Sequence, residues 1–190
     1  MKKIAISGNI ASGKSTVQKF LKEKGYKVLD TDDVARELLT IQNKELYEAF
    51  KDDDVFENNE FSRNKVANLI FSNKTAKNKI ESVMHPQISL KIEEYFAQNK
   101  NENLVFVGIP LLFESKMELI FDKIIFIYTE DEIRLKRLLK RNGYTLEHAK
   151  ARLESQMSQE EKILKSDYVI YNNKSEDELK LEINKVLTLL

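Results

Sequence analysis

Apolar residues follow two alternating rhythms along this chain. Short unbroken runs centred on Ile4-Ala5-Ile6, Leu104-Val105-Phe106-Val107, Ile124-Ile125-Phe126-Ile127 and Val169-Ile170 read as buried strands. A further strand is expected at Tyr26–Leu29, after a helix-capping Gly25. Between these runs the spacing turns helical. Val17, Phe20 and Leu21 fall at i, i+3, i+4, and Val34–Leu39 reads as the start of another helix. Leu135, Leu138 and Leu139 mark one face of a later helix. Leu179, Ile183, Val186, Leu187 and Leu190 form one packing stripe behind the capping box Ser175-x-x-Glu178. Roughly five strands separated by helices give a parallel sheet wound on both faces.

Residues from about 40 to 100 break this alternation. Leu46, Tyr47 and Phe50, then Val66, Leu69 and Ile70, carry helical spacing, with polar joints between them. Asp52-Asp53-Asp54 reads as a solvated turn. Pro86 disfavours helix at His85, so a break is expected there, with a restart near Gln87. Helices inserted between the second and third strands suggest a substrate-covering lobe.

Composition bounds the picture. The chain of 190 residues is about one domain by length, with room for a lobe or lid. It has no cysteine, which excludes disulfides, thiolate chemistry and cysteine-bound zinc. Its formal net charge is zero, so a whole-chain basic footprint for nucleic acid is absent. No apolar run approaches the roughly 20 residues that cross a bilayer. The first strand begins almost at once, leaving no room for a signal peptide, and a cytoplasmic protein is expected.

The candidate chemistry starts at Gly8-Asn9-Ile10-Ala11-Ser12-Gly13-Lys14-Ser15, which fits G-x-x-x-x-G-K-[ST] between a strand and a helix opened by Thr16. Glycines at both ends let the backbone wrap a phosphate chain, and the N–H groups converge at a positive helix terminus. Lys14 is expected to reach the β- and γ-phosphates, and Ser15 to offer its hydroxyl to Mg²⁺. The second strand runs into Asp30-Thr31-Asp32-Asp33, at the end of an open sheet where ligands bind. Asp33 suits a helix N-terminus, which leaves Asp30 or Asp32 for chemistry.

A second basic signal lies between the last two strands. Arg134, Arg137 and Arg141 share one helix face. Thr145 can cap a following helix that carries Arg152 and Gln156 at i, i+4. Arginine forks match phosphate oxygens, so this pair of helices is expected to form a hinged lid over a phosphate chain. A guanine switch would show N-K-x-D near the fourth strand, but Asn73-Lys74-Thr75-Ala76 lacks the aspartate and lies elsewhere. A motor or transporter usually has an acid closing an apolar strand, and Gly108 stands there. A short phosphate-loop chain with an inserted lobe and an arginine lid reads as a small-molecule kinase.

Several stretches together resemble the dephospho-CoA kinase family. They are Gly8–Thr16, Asp30-Thr31-Asp32 with Ala35-Arg36, His85-Pro86, Pro110-Leu111-Leu112-Phe113-Glu114, and Arg152 with Gln156. Arg63, Phe71-Ser72, Lys162, Asp167, Val169-Ile170 and Asn172 extend the likeness over most of the chain. The resemblance implies transfer of the ATP γ-phosphoryl to the ribose 3′-hydroxyl of dephospho-CoA, giving CoA. It implies an α/β fold with a P-loop NTP hydrolase-type parallel five-stranded sheet flanked by helices, an inserted helical substrate lobe and a helical lid. The expected core is 1–35, 101–130 and 160–190, the CoA lobe about 36–100, and the lid about 131–159. Asp32 would accept the hydroxyl proton, and Lys14 and Arg141 would complete the catalytic set. Gly8, Asn9, Ile10, Ala11, Ser12, Gly13, Lys14, Ser15 and Thr16 would hold ATP with Arg137, Arg141, Asn172 and Asn173, the last two near adenine. Arg36, Arg63, His85, Pro110, Leu111 and Arg152 would join Asp32 on the acceptor. Ser15, and Asp32 directly or through water, would hold Mg²⁺. Many relatives carry an acid where Gly108 stands, and often Asp where Ser62 precedes Arg63. The expected partners are small molecules, ATP and dephospho-CoA, without nucleic acid or membrane, and the expected state is a monomer. Two alternatives stay open: a nucleoside monophosphate-type kinase and a non-catalytic nucleotide-binding module.

Overall fold

The computed structural model describes residues 1–142 and 144–190, and all of their side chains except those of Arg141 and Asn142. The chain divides into two units, Met1–Asp30 with Phe96–Leu190, and Thr31–Tyr95.

The first unit is built on the five expected strands, β1 (Lys2–Gly8), β2 (Lys27–Asp30), β5 (Leu104–Gly108), β6 (Lys123–Tyr128) and β7 (Tyr168–Tyr171). They form one sheet in the order β2-β5-β1-β6-β7, every pairing parallel. Gly108 stands beside Ile6 on one side and Asp30 on the other, so β2 and β5 end together and β1 runs two residues further, to Gly8. Ligands of open α/β sheets bind at such carboxyl ends. Helix α1 (Lys14–Glu23) packs Val17 and Leu21, both wholly buried, on Ile4, Ile6 and Phe106 of the sheet. Gly25, at φ 88°, takes the left-handed turn that lets Tyr26 N bond Leu21 O at 3.1 Å, and so ends α1. The last helix, α9 (Glu176–Leu187), buries Leu179, Ile183 and Val186 in the same core and starts at the predicted capping box. Burying each such aliphatic side chain contributes about 1.5–3 kcal/mol. Helices α6 (Asp131–Asn142), α7 (Leu146–Glu154) and α8 (Gln159–Leu164) lie between β6 and β7 in sequence. Thr145 caps α7 by accepting from His148 N. The α7 helix ends at Glu154, so Gln156 lies beyond it rather than on the same face as Arg152.

The second unit contains α2 (Thr31–Leu38), α3 (Lys44–Phe50), α4 (Arg63–Ser72) and most of α5 (Lys74–Gln98). Its core gathers Leu46, Phe50, Val55, Phe61, Val66, Ala76, Val83 and Met84. Two features differ from the sequence reading. First, β3 (Phe56–Glu57) and β4 (Glu60–Phe61) make a short antiparallel hairpin around Asn58 and Asn59, at φ 50° and 62°. Asparagine tolerates this left-handed geometry, which matches the twist of paired strands. Second, the expected break at His85-Pro86 is absent, and α5 runs through Pro86 as one helix. Pro86 and Ser82 are exposed, so the Ser82 carbonyl that loses its helical donor faces water, while neighbouring Val83 and Met84 are buried. Burial on the flanks outweighs the one lost bond.

Candidate nucleotide-binding site

The loop after β1 is shaped by positive φ angles at Ala11 (63°) and Gly13 (93°), and by a turn in which Ser12 N bonds Asn9 O at 3.0 Å. Gly13 is the N-cap of α1 and has no side chain to satisfy the first helical N–H groups. Those donors, at the positive end of the helix, suit an anion. At Gly13 the positive φ favours glycine, and a Cβ at either glycine would meet the end of a neighbouring side chain. A Cβ on Gly8 would lie 2.4 Å from Ser12 Oγ, and one on Gly13 would lie 2.2 Å from Asn172 Nδ2.

The loop carbonyls are held from behind. Asn172 Nδ2 donates to Ser12 O at 2.7 Å, and Thr129 Oγ1 donates to the same oxygen at 2.9 Å. Arg137 links Ala11 O and Asn172 O, each at 3.2 Å. Burial pulls the Arg137 guanidinium below its ordinary pKa, though arginine keeps its charge in proteins. On the other side, Ile10 N donates to Gln156 Oε1 at 2.8 Å, and Asn9 Nδ2 donates to Met157 O at 3.0 Å. Thus the segment between α7 and α8 grips the start of the loop. That segment is itself tied down by Glu114, whose Oε1 accepts from Met157 N at 3.2 Å and pairs with Lys162 Nζ at 2.7 Å.

Lys14 opens α1 with its Nζ 3.1 Å from Asp30 Oδ1 and 3.4 Å from Gln18 Oε1. Asp30, the last residue of β2, is thus one strand-end carboxylate in contact with the loop lysine. Ser15 is exposed on the first turn of α1. Asn173 is bound to Glu130, accepting from its N and donating to its Oε1, both at 2.9 Å. Arg134 does not join Arg137 at the loop. It is 2 % exposed and donates to Asp131 Oδ1 at 2.7 Å. Arg141 lies outside the described side chains. Arg152 stacks over the Tyr144 ring, 5.0 Å from its centroid. Pro110 follows β5, its carbonyl 3.5 Å from Ser7 Oγ, and Leu111 is 37 % exposed.

In the second unit, Asp32 is exposed in the first turn of α2, and Asp33 lies in the same turn, at the helix N-terminus expected for it. Arg36 lies one turn further on and donates to Asp33 at 2.7 Å. Arg63 is the first residue of α4, and His85 is half-buried midway along α5. The sequence reading missed Thr129, Gln18 and Gln159, whose Nε2 donates to Thr129 O at 2.9 Å. One signal was available: Thr129 and Asn172 are the first polar residues after the apolar runs of β6 and β7. Among the described residues, no helix is long and apolar enough to cross a membrane.

A phosphate loop at this strand end, feeding a helix whose first residue is a lysine, is the architecture of P-loop proteins, and the family match makes this one a P-loop kinase. More narrowly, the chain belongs to the dephospho-CoA kinase family, whose CoaE model matches residues 2–178. A relative named dephospho-CoA kinase, from Oceanobacillus iheyensis, is 36 % identical over 97 % of this chain and 95 % of its own. The solved structure of dephospho-CoA kinase from Campylobacter jejuni is 34 % identical, with a TM-score of 0.71 over 98 % of this chain and 95 % of that one. A solved structure from Thermus thermophilus gives a TM-score of 0.87 at 33 % identity, covering 100 % of this chain and 97 % of that one.

Proposed function

We propose that this kinase transfers the γ-phosphoryl of ATP to the 3′-hydroxyl of the dephospho-CoA ribose, releasing CoA and ADP, the last step of coenzyme A biosynthesis. The family match across residues 2–178 carries this reading. A nucleoside monophosphate-type kinase is not favoured by it.

In this reading, the backbone of Gly8–Thr16 cradles the triphosphate. Lys14 exchanges part of its contact with Asp30 for β- and γ-phosphate oxygens, since an ammonium has three donors to distribute. Arg137 and Arg141 neutralise charge that grows on the equatorial oxygens during transfer. Asp32 accepts the proton of the attacking hydroxyl, which is a poor nucleophile until a base lies within hydrogen-bond reach. Arg36, Arg63, His85, Pro110, Leu111 and Arg152 hold the acceptor. Asn173 lies beside adenine, and Asn172 serves ATP chiefly by shaping the loop through Ser12.

The donor set suits Mg²⁺. This ion binds through one or two protein oxygens, phosphates and water rather than a dedicated cage. Ser15 Oγ with Asp32, directly or through water, would hold it, and among the described residues no cluster of three or more His, Asp or Glu competes for that role. When bound, the ion would supply neutralisation of the charge on the phosphate chain. We also propose a core of 1–35, 101–130 and 160–190, a CoA lobe of about 36–100, a lid of about 131–159, and a monomer as the acting unit.

An acceptor panel tests the substrate. With ATP and Mg²⁺, dephospho-CoA should be phosphorylated far faster than AMP, CMP or nucleosides. Preference for AMP or CMP would overturn the assignment.

A further inference from the structure

The end of β5 carries no side chain, yet the space beside it is filled. A Cβ on Gly108 would lie 1.9 Å from Gln18 Nε2, 2.7 Å from Gln18 Cδ and 3.3 Å from Lys14 Nζ. Gln18 reaches this place from α1, one turn beyond Lys14, and is only 4 % exposed. Its Oε1 accepts from Lys14 Nζ at 3.4 Å. Its Nε2 is buried with no hydrogen-bond partner among the described residues. The reverse amide orientation would set an NH₂ group against an ammonium, donor against donor, so the carbonyl oxygen belongs on the lysine side. An apolar side chain of similar size would fill the same space without burying an unsatisfied N–H. Packing alone therefore does not account for a glutamine here.

We propose that Gln18 is a positioning residue that acts through Lys14. It occupies the place of the acid that closes the corresponding strand in many phosphate-loop enzymes, and it holds Lys14 Nζ from the β5 side while Asp30 holds it from the β2 side. A carboxylate at this point would compete with phosphate for the ammonium, whereas a neutral amide orients Lys14 and yields it readily to a triphosphate. Gly108 and Gln18 form a matched pair, because any larger residue at 108 would displace the amide. This inference rests on the nucleotide reading of the loop and is independent of which acceptor is used.

The test separates holding Lys14 from filling space. Gln18→Leu keeps the volume and removes the acceptor. Its melting temperature should equal or exceed that of the native chain, because an unsatisfied buried N–H is lost. Turnover should fall by roughly 10- to 100-fold, the range for one hydrogen bond to a charged group. ATP affinity, measured by titration calorimetry with no acceptor present, should weaken less than turnover falls, since Lys14 is engaged most strongly in the transition state. A second pair of variants is built on Gln18→Ala. Adding Gly108→Asn returns an amide from the strand side and should restore turnover at least tenfold, while adding Gly108→Leu returns volume only and should not. Native turnover in Gln18→Leu, or equal rescue by Asn and Leu at 108, would overturn the proposal. If dephospho-CoA itself were the wrong acceptor, the native chain would fail to phosphorylate it, yet the calorimetric comparison would stand unchanged.

Discussion

Replacing Glu114 by Gln should be among the most damaging single-charge changes in the first unit, although Glu114 lies outside the phosphate loop. The Lys162 side chain is 0 % exposed and its Nζ lies 2.7 Å from Glu114 Oε1, while the Glu114 side chain is 26 % exposed. Removing one member of a buried ion pair strands the other charge, at a cost of about 3–5 kcal/mol. Partial access of water to Glu114 lowers this to about 2–3 kcal/mol, since exposed partners are screened. For a chain of this length, each kcal/mol shifts the melting temperature by roughly 2–4 °C, so Glu114→Gln should melt about 4–12 °C lower. Lys162→Met removes the buried charge and keeps the stem, leaving Glu114 able to hydrate and to accept from Met157 N. That variant should lose no more than about 1 kcal/mol. Burial holds the Lys162 pKa below the ordinary lysine value, with the hydrogen bond and charge of Glu114 opposing this and Arg134 adding to it. The unfolded chain then binds more protons than the folded chain between the lowered and the ordinary value, so stability rises with pH across that window. Without Glu114 the window widens downward. The deficit of Glu114→Gln should therefore shrink as pH is raised toward the ordinary lysine value, and Lys162→Met should show no such recovery. Thermal melts followed by circular dichroism at several pH values read both effects. A Glu114→Gln variant within 2 °C of native (about 1 kcal/mol), or a Lys162→Met variant that is the less stable of the two, would refute this reasoning.

Two further outcomes concern the reaction. Asp32→Asn should bind ATP and dephospho-CoA while single-turnover transfer falls by roughly 10²–10⁴-fold, as for a lost general base. Asp30→Asn should act through Lys14, with a smaller loss of turnover and weaker ATP binding, and the reverse pattern would exchange their roles. Arg137→Lys keeps the charge but cannot bridge Ala11 O and Asn172 O as a fork, so turnover should fall more than ATP affinity. The same split is expected for Arg141→Lys, and an unchanged rate in both would leave this helix without a part in transfer.

Legibility followed locality. The phosphate loop could be read because an apolar strand, two glycines and an i, i+3, i+4 stripe are all written within about twenty neighbouring residues. The start of α9 was legible for the same reason, since a capping box is complete within four residues. The insertion of β5 between β2 and β1 depends on which strands find each other across the fold, and no local spacing encodes it. Pro86 misled because the burial of Val83 and Met84, decided by the rest of the second unit, outweighs the local preference. Gln18 sits among the polar residues of an amphipathic helix, and no local spacing marks it. Its burial is set by the missing side chain of Gly108, on a different element. Gln156 was expected on the helix of Arg152, but α7 stops first, which frees its side chain to cap Ile10 N. Asp32 and Asp30 could be named from sequence, but the contact of Asp30 with Lys14 emerges only when β2 is laid beside β5.

The most direct test of the central claim is a single-turnover reaction with γ-labelled ATP and dephospho-CoA, followed by location of the label. The label should appear in CoA, be released quantitatively by a 3′-specific phosphatase, and leave ADP in equal amount. Label recovered as inorganic phosphate, or in a diphosphate rather than at the ribose 3′-oxygen, would contradict it.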